Sequence, residues 1–389
     1  MENKSQVVRL PQVCSKPATD RFSFIVKPTH SCNLRCQYCY VPDSAENGLM
    51  SSATLHKVMS QAAEVGHGKS ITFIWHGGEP LIAGLEFFRE IASISHSLRE
   101  TGLHIKNTIQ TNGTLITDSL LDFIVKEHDF HIGLSIDGPV YIHDKIRPKA
   151  DGSGSFNEIM NAIRMIRERG ASEGRECIGT GAICVIGKHN IDHLLEIYSL
   201  FKSLHINVKM NPLFVAGRAT RDLTVTPDEF AEAMCRLFDI WIDDDDSIKI
   251  DPYESIMNSF LVGSPSSCHT SPTCTNTFVS IGPLGDIYPC GRFDGVREFH
   301  LGNINGPGGL VTALSSSLHK LLESRPDNLD PSCMTCAYHS ICHGGCMHNA
   351  YIQGNLMGRD PFCSLYKKLY GHILSKLHET LKQAESVEL

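Results

Sequence analysis

Three cysteines, Cys32, Cys36 and Cys39, stand within the eight residues "CNLRCQYC". A structural zinc site closes its coordination with four ligands. The spacing Cys-x3-Cys-x2-Cys offers three thiolates, so one position of a bound metal or cluster stays open to a substrate. A second concentration lies late in the chain. Cys268, Cys274 and Cys290 come first, then Cys333, Cys336, Cys342 and Cys346 in "CMTCAYHSICHGGC", then Cys363. The chain has 15 cysteines, an odd number. Its start, "MENKSQVVRLPQVCSKPATD", has no apolar stretch of the signal-peptide kind, which predicts a cytoplasmic protein. Disulfides are rare in that compartment, so the clustered thiols read as metal or iron–sulfur ligands. Cys14, Cys177, Cys184 and Cys235 stand alone and read as buried, inert thiols.

Other polar motifs carry potential chemistry: "HGGEP" (76–80), "QTNG" (110–113), "SIDGP" (135–139) and "MNPL" (210–213). Taken singly, Gly77, Gly78, Gly113 and Gly138 read as tight turns and Asp137 as a turn cap. Glu79, a carboxylate behind two glycines, can accept hydrogen bonds from a ligand ammonium group. Arg147 offers a fork suited to a carboxylate. Together they could hold both ends of an amino acid.

What must position these motifs is a repeated unit of strand and helix. Six β-branched runs, from "FSFIVK" to "INVKM", alternate with helix-period segments such as "SATLHKVMSQAAEV" and "FNEIMNAIRMIRERG". Six such units predict an α/β fold with a parallel sheet and right-handed crossovers. The strands read as near-continuous apolar runs covered on both faces. No Gly-x-Gly-x-x-Gly follows the first strand, so a partial or complete β/α barrel fits better than a dinucleotide-binding sheet. Every motif above then falls at the rim where strands end, the side on which barrels gather their chemistry.

The predicted organisation is an N-terminal extension (1–20), a barrel domain (21–225), a helical bridge (226–263) and a turn-rich, cysteine-rich domain (264–389). In the bridge, Thr226, Pro227 and Glu229 form a capping-box signature. Asp243–Asp246 reads as a solvated turn. At 389 residues, 41% hydrophobic and 20% charged, the chain has the composition of an ordinary globular protein. A net charge of −8 argues against nucleic acid or anionic lipid as the main partner, and no apolar run reaches membrane-spanning length.

These residues resemble the radical S-adenosylmethionine (radical SAM) superfamily, whose signature is the Cys-x3-Cys-x2-Cys loop after strand one. The resemblance implies a partial (β/α)6 barrel. It implies that Cys32, Cys36 and Cys39 hold a [4Fe–4S] cluster whose fourth iron binds S-adenosylmethionine, the source of a 5′-deoxyadenosyl radical. It gives Gly78 and Glu79 to the methionine ammonium, Ser135 and Arg147 to the ribose and carboxylate, and Tyr38 and Leu213 to the adenine surroundings. The late cysteines resemble a SPASM domain with two auxiliary [4Fe–4S] clusters, making three in all. Cys268, Cys274, Cys290 and Cys346 would hold one, and Cys333, Cys336, Cys342 and Cys363 the other. Zinc is the competing reading for Cys333–Cys346.

The chain is similar along nearly its whole length to the anaerobic sulfatase-maturating enzymes, which oxidise a cysteine or serine to formylglycine. Two positions depart from that pattern. Val41 stands where the family has a tyrosine, and Gly291 where it has an aspartate that acts as base. Asp294, three residues on, reads as a turn residue. The departures lead us to expect a peptide or protein substrate in which a side-chain crosslink is installed, as in maturases of ribosomal peptides. Formylglycine formation is the alternative, and a non-catalytic electron carrier or zinc-stabilised protein the second. An electron donor of the flavodoxin or ferredoxin kind is expected.

Overall fold

The computed structural model describes residues 21–41, 48–66, 68, 70–127, 130–174 and 181–387. The expected N-terminal extension, Cys14 and Cys177 lie outside them. Six strands alternate with helices: β1 (Arg21–Thr29), α1 (Ser52–Val65), β2 (Ser70–Gly77), α2 (Leu85–Glu100), β3 (His104–Thr111), α3 (Asp118–Lys126) and β4 (Phe130–Ser135). There follow α4 (Val140–Ile146), α5 (Phe156–Ser172), β5 (Gly181–Ile186), α6 (Leu194–Ser203) and β6 (Asn207–Pro212). Each strand pairs in parallel with the next, as the repeated unit requires.

The strands are not buried alike on both faces. Phe22, Phe24 and Val26 of β1 are buried under the helices, while Ser23 and Ile25 are only half-buried. β2, β4 and β5 alternate in the same way. The helix-facing side makes the core, with Phe73, Trp75, Phe88, Ile109 and Phe130 among its members. The other side lines the inside of an open barrel, so the expectation of cover on both faces is corrected. Within the core, Trp75 Nε1 donates to Asn107 Oδ1 at 3.0 Å, and Asn107 Nδ2 donates to Ser95 Oγ. Burying an amide costs free energy unless it is bonded, and this network ties β2, β3 and α2 in one register.

The helical bridge is α7 (Pro227–Ile242), the two-residue β7 (Ile250–Asp251) and α8 (Tyr253–Val262). The capping box forms as expected: Thr226 Oγ1 accepts from Glu229 N, and the Glu229 carboxylate accepts from Thr226 N. The sheet does not stop at the expected boundary near 264. β8 (Phe278–Ile281) runs parallel beside β1 and continues antiparallel into β9 (Asp286–Tyr288) and β10 (Gly302–Asn303). One ten-stranded sheet results, in the order β10-β9-β8-β1-β2-β3-β4-β5-β6-β7. The late domain therefore grows from the first strand of the barrel. Its last helix, Cys363–Val387, returns to α7, where His372 pairs with Asp239 at 2.7 Å and Lys368 with Glu232 at 2.6 Å. Among the described residues no helix is long and apolar enough to cross a membrane.

Candidate functional site

The cysteine loop leaves β1 and packs on the turn after β2. A Cβ on Gly77 would lie 2.2 Å from Thr29 O, and one on Gly78 2.3 Å from His30 O and Ser31 O. Only glycine fits there. Gly78 N donates to Thr29 O and Glu79 N to Ser31 O at 2.9 Å, so the paired glycines seat the cysteine loop itself. Glu79 is fully buried, and its carboxylate is turned into the chain. Oε1 accepts from Thr111 Oγ1 at 2.7 Å and Leu81 N at 3.0 Å, and Oε2 from Asn112 N at 2.8 Å. Burial raises its pKa, and these donors work against the rise. Glu79 thus locks the end of β3 to the end of β2. Asn112 then reaches Asn33 at 2.9 Å and approaches Cys32 Sγ at 3.9 Å.

Across the rim, the Tyr38 hydroxyl donates to Asp137 Oδ2 and accepts from Arg147 Nη1, and Arg147 lies 3.5 Å from Asp137. Asp137 is no turn cap: its second oxygen accepts from Val185 N at 2.9 Å, which joins β4 to β5. Arg147 ends α4, is buried, and keeps Nε without a protein partner. Burial opposes its charge, but Tyr38, Cys36 and Asp137 keep the guanidinium protonated. His189 stacks on Tyr38 with ring centroids 6.1 Å apart, and neither of its buried ring nitrogens has a protein partner. Sequence reasoning missed Asp137, Thr111 and His189. A lone histidine in "GKHN" gives no periodicity or spacing to find it by. Ser135 Oγ accepts from Gln110 Nε2 at 3.2 Å, and Leu213 is buried at the end of β6.

A third group lies inside the barrel on β1. Lys27 is almost fully buried; its Nζ is 2.5 Å from Asp294 Oδ2, 3.3 Å from Gly291 O and 5.0 Å from the Tyr40 ring centroid. His30 Nε2 bonds Asp294 Oδ2 at 3.1 Å, and His30 Nδ1 is buried without a partner. Burial pushes the Asp294 carboxyl up, but His30 and Lys27 outweigh it and hold it at about 2. Asp294 stands in a turn, as read, with Val296 N donating to Phe293 O at 2.9 Å, but its carboxylate is turned inward against Lys27, which a surface turn would not do.

The late cysteines gather into two groups of four. Cys274 is within electrostatic reach of Cys346, Cys290 and Cys268, and Cys268 and Cys290 are each coupled to Cys346. Cys333, Cys336, Cys342 and Cys363 line one cavity with Tyr338, Asp360, Tyr366 and Tyr370. Burial pushes the Cys32 and Cys290 thiols up to about 11 and Cys342 up to about 12. Among the described residues no three His, Cys, Asp or Glu side chains converge to hold a single metal ion. A cubane cluster asks for something else, since each thiolate binds its own iron. Cys184 and Cys235 are buried in the core, as expected of inert thiols.

Four thiols per group suit four-iron clusters. The orphan Arg147 Nε suits a carboxylate, and the unpartnered His189 ring suits a nitrogen-rich ligand beside Tyr38. Residues 26–201 match the radical SAM superfamily. They form a radical SAM domain. The chain is 27% identical over 371 residues to the cysteine-type anaerobic sulfatase-maturating enzyme of Clostridium perfringens, covering 91% of this chain and 97% of that one. It is 27% identical to the serine-type enzyme of Bacteroides thetaiotaomicron, covering 90% and 88%. The solved structure of anSMEcpe with bound AdoMet and Cp18Cys peptide superposes with a TM-score of 0.81 at 24% identity, over 94% of this chain and 99% of that one. SuiB of Streptococcus suis, bound to precursor peptide SuiA, gives 0.63 at 17% identity, over 88% and 75%. Over residues 26–201 the chain is thus similar to the radical SAM superfamily, and along nine-tenths of its length it is similar to sulfatase maturases and shares their fold.

Proposed function

We propose that this radical SAM enzyme oxidises a cysteine or serine of a peptide or protein substrate to formylglycine. Its similarity to both cysteine-type and serine-type sulfatase maturases, over nine-tenths of the chain, favours this over the side-chain crosslink expected from sequence. The observation that carries it is the Lys27–Asp294–His30 group. The crosslink expectation rested on a missing carboxylate at Gly291. Lys27 Nζ touches both Gly291 O and Asp294, so a carboxylate stands beside position 291 although it comes three residues later.

We assign Cys32, Cys36 and Cys39 to the first cluster and the two groups of four to the auxiliary clusters. Arg147 and Ser135 would bind S-adenosylmethionine, with Tyr38, His189 and Leu213 about its adenine. Gly78 and Glu79 act by holding the cysteine loop, Thr111 and Asn112 in place. When bound, the first cluster and S-adenosylmethionine supply a radical that removes a hydrogen atom from the target carbon. As the substrate radical gives up one electron, the chain has to accept the proton of the target S–H or O–H; from serine this leaves the aldehyde, and from cysteine a thioaldehyde that water hydrolyses with loss of hydrogen sulfide. His30, oriented through Nε2 by Asp294, keeps Nδ1 as acceptor, and Lys27 keeps the carboxylate charged. Electrons would come from a flavodoxin- or ferredoxin-like donor.

Anaerobic incubation with S-adenosylmethionine, a reductant and sulfatase-type peptides carrying a target Cys or Ser tests the reading by tandem mass spectrometry. An aldehyde at the target is expected, and Asp294→Asn should still make 5′-deoxyadenosine while losing most of the aldehyde. A product that has lost two hydrogens and joined two residues would return the protein to crosslinking.

A further inference from the structure

The turn that follows β6, residues 213–219, touches three parts of the molecule. Leu213 N donates to Ile186 O at 2.8 Å, which ties the start of the turn to the end of β5, and the Leu213 side chain is buried at the rim. Phe214 meets the cysteine-rich region. The half-buried Arg292 holds its Cζ 4.1 Å from the centre of the Phe214 ring, and the His348 ring stands at 74° to it with centroids 5.5 Å apart. His348 packs in turn on Phe293, which is fully buried in a small apolar cluster of that region. Gly217 and Arg218 meet the cysteine loop. Gly217 has a φ of +56°, a Cβ on it would lie 2.3 Å from Cys39 O, and Arg218 N donates to Cys39 O at 2.8 Å. Gly77 and Gly78 make the same close approach to residues 29–31, so the cysteine loop is clamped before Cys32 and again at Cys39. Val215 is exposed and Ala216 is small, so Phe214 is the side chain that anchors the turn between its two backbone attachments.

We propose that Phe214 is a positioning residue for S-adenosylmethionine: clasped by Arg292 and His348, it holds the 213–219 turn so that Leu213 and the clamp on Cys39 stand in place before the cofactor arrives. The inference rests on the assignment of Cys32, Cys36 and Cys39 to the first cluster and of Leu213 to the adenine surroundings, and not on formylglycine as the product. A turn already held in its binding shape has lost its freedom beforehand. A loose turn has to be ordered by the ligand, and that ordering is subtracted from the affinity. The ring suits this task. A guanidinium over its face and an aromatic edge against it both hold a flat π system more tightly than they hold an aliphatic side chain. The cysteine-rich region thereby supports the cofactor site of the barrel mechanically, through one packed ring and two backbone contacts.

The test uses the full-length protein, reconstituted anaerobically and assayed without any peptide, so that it does not depend on the product formed. Binding of S-adenosylmethionine is measured by equilibrium dialysis, formation of 5′-deoxyadenosine against cofactor concentration gives KM and kcat, and iron is read on every sample. Phe214→Leu should raise both Kd and KM for S-adenosylmethionine about tenfold, with kcat and iron content held. Phe214→Tyr, which keeps the ring, should bind more tightly than Phe214→Leu. Hydrogen exchange before the cofactor is added should show residues 213–219 exchanging faster in Phe214→Leu and residues 77–79 unchanged. An unchanged Kd overturns the proposal, and so does a raised Kd with unchanged exchange in 213–219, or Phe214→Tyr binding no better than Phe214→Leu. Loss of iron in Phe214→Leu also overturns it, since the ring would then serve the clusters and not the turn. If Phe214→Leu is not recovered folded, Phe214→Met, which fills the space with a more adaptable side chain, is read in the same way.

Discussion

The barrel and the cysteine-rich region hold their polar residues by opposite means. In the barrel, regular elements and an apolar core come first, and functional side chains occupy the strand ends that core has already fixed. Between residues 264 and 362 the elements are short. Pro331–Met334 and His339–Cys342 are four-residue helices, and Met347–Ile352 has six residues. The satellite core there is small, built on Tyr288, Phe293, Phe299, Leu322 and Met347, with Cys274 and Cys290 packed against it. Helices this short do not persist on their own propensity. One region builds its site on a scaffold; in the other, the ligands of the site form much of the scaffold.

The strongest way to break this contrast is to strip the iron. Metal binding and folding are coupled where ligands hold the chain together. Chelation under anaerobic conditions should cost the region 264–362 most of its amide protection in hydrogen exchange, while β2–β4 and α1–α3 keep theirs. Equal loss in both would show that the barrel also depends on the clusters. A smaller effect should come from the contact that ties the two regions together. Lys27→Met leaves Asp294 buried without its cation and should cost about 3–5 kcal/mol in denaturant unfolding. The double variant with Asp294→Asn should recover much of that.

Acid sharpens the comparison on the barrel side. Burial lowers His76 and His143 to about 4, with the Lys27 and Arg147 charges respectively adding to the effect. The unfolded chain takes up these protons near pH 6.5 and the folded protein only near pH 4. Stability is therefore full above pH 6.5 and falls as pH drops toward 4, by about 1.4 kcal/mol per pH unit for each histidine. Replacing His143 with Gln should remove that histidine's share of the slope, about 1.4 kcal/mol per pH unit, in urea titrations at stepped pH. The smallest effect belongs to the bridge: Thr226→Ala removes one half of the capping box and should cost about 1 kcal/mol.

The sequence by itself determined the alternating elements, the cap of α7, the rim motifs and the two sets of clustered cysteines. These are legible because periodicity, capping and ligand spacing are local. The parallel order of β1–β6 follows from the same repeat. Tertiary structure alone decided which polar groups meet. The turn at Asp294 is legible, but its burial is not, because its partners Lys27 and His30 are remote, the His30–Asp294 pair being 264 positions apart in the chain. The bonds of Glu79 to Thr111 and Asn112 are not legible either, because those residues reach it only after β2 and β3 have paired. The continuation of the sheet from β1 into β8 leaves no mark on either segment. Burial also depends on assembly: a carboxylate takes its charge state from donors that local sequence does not contain, and those donors arrive only when the chain has closed around it.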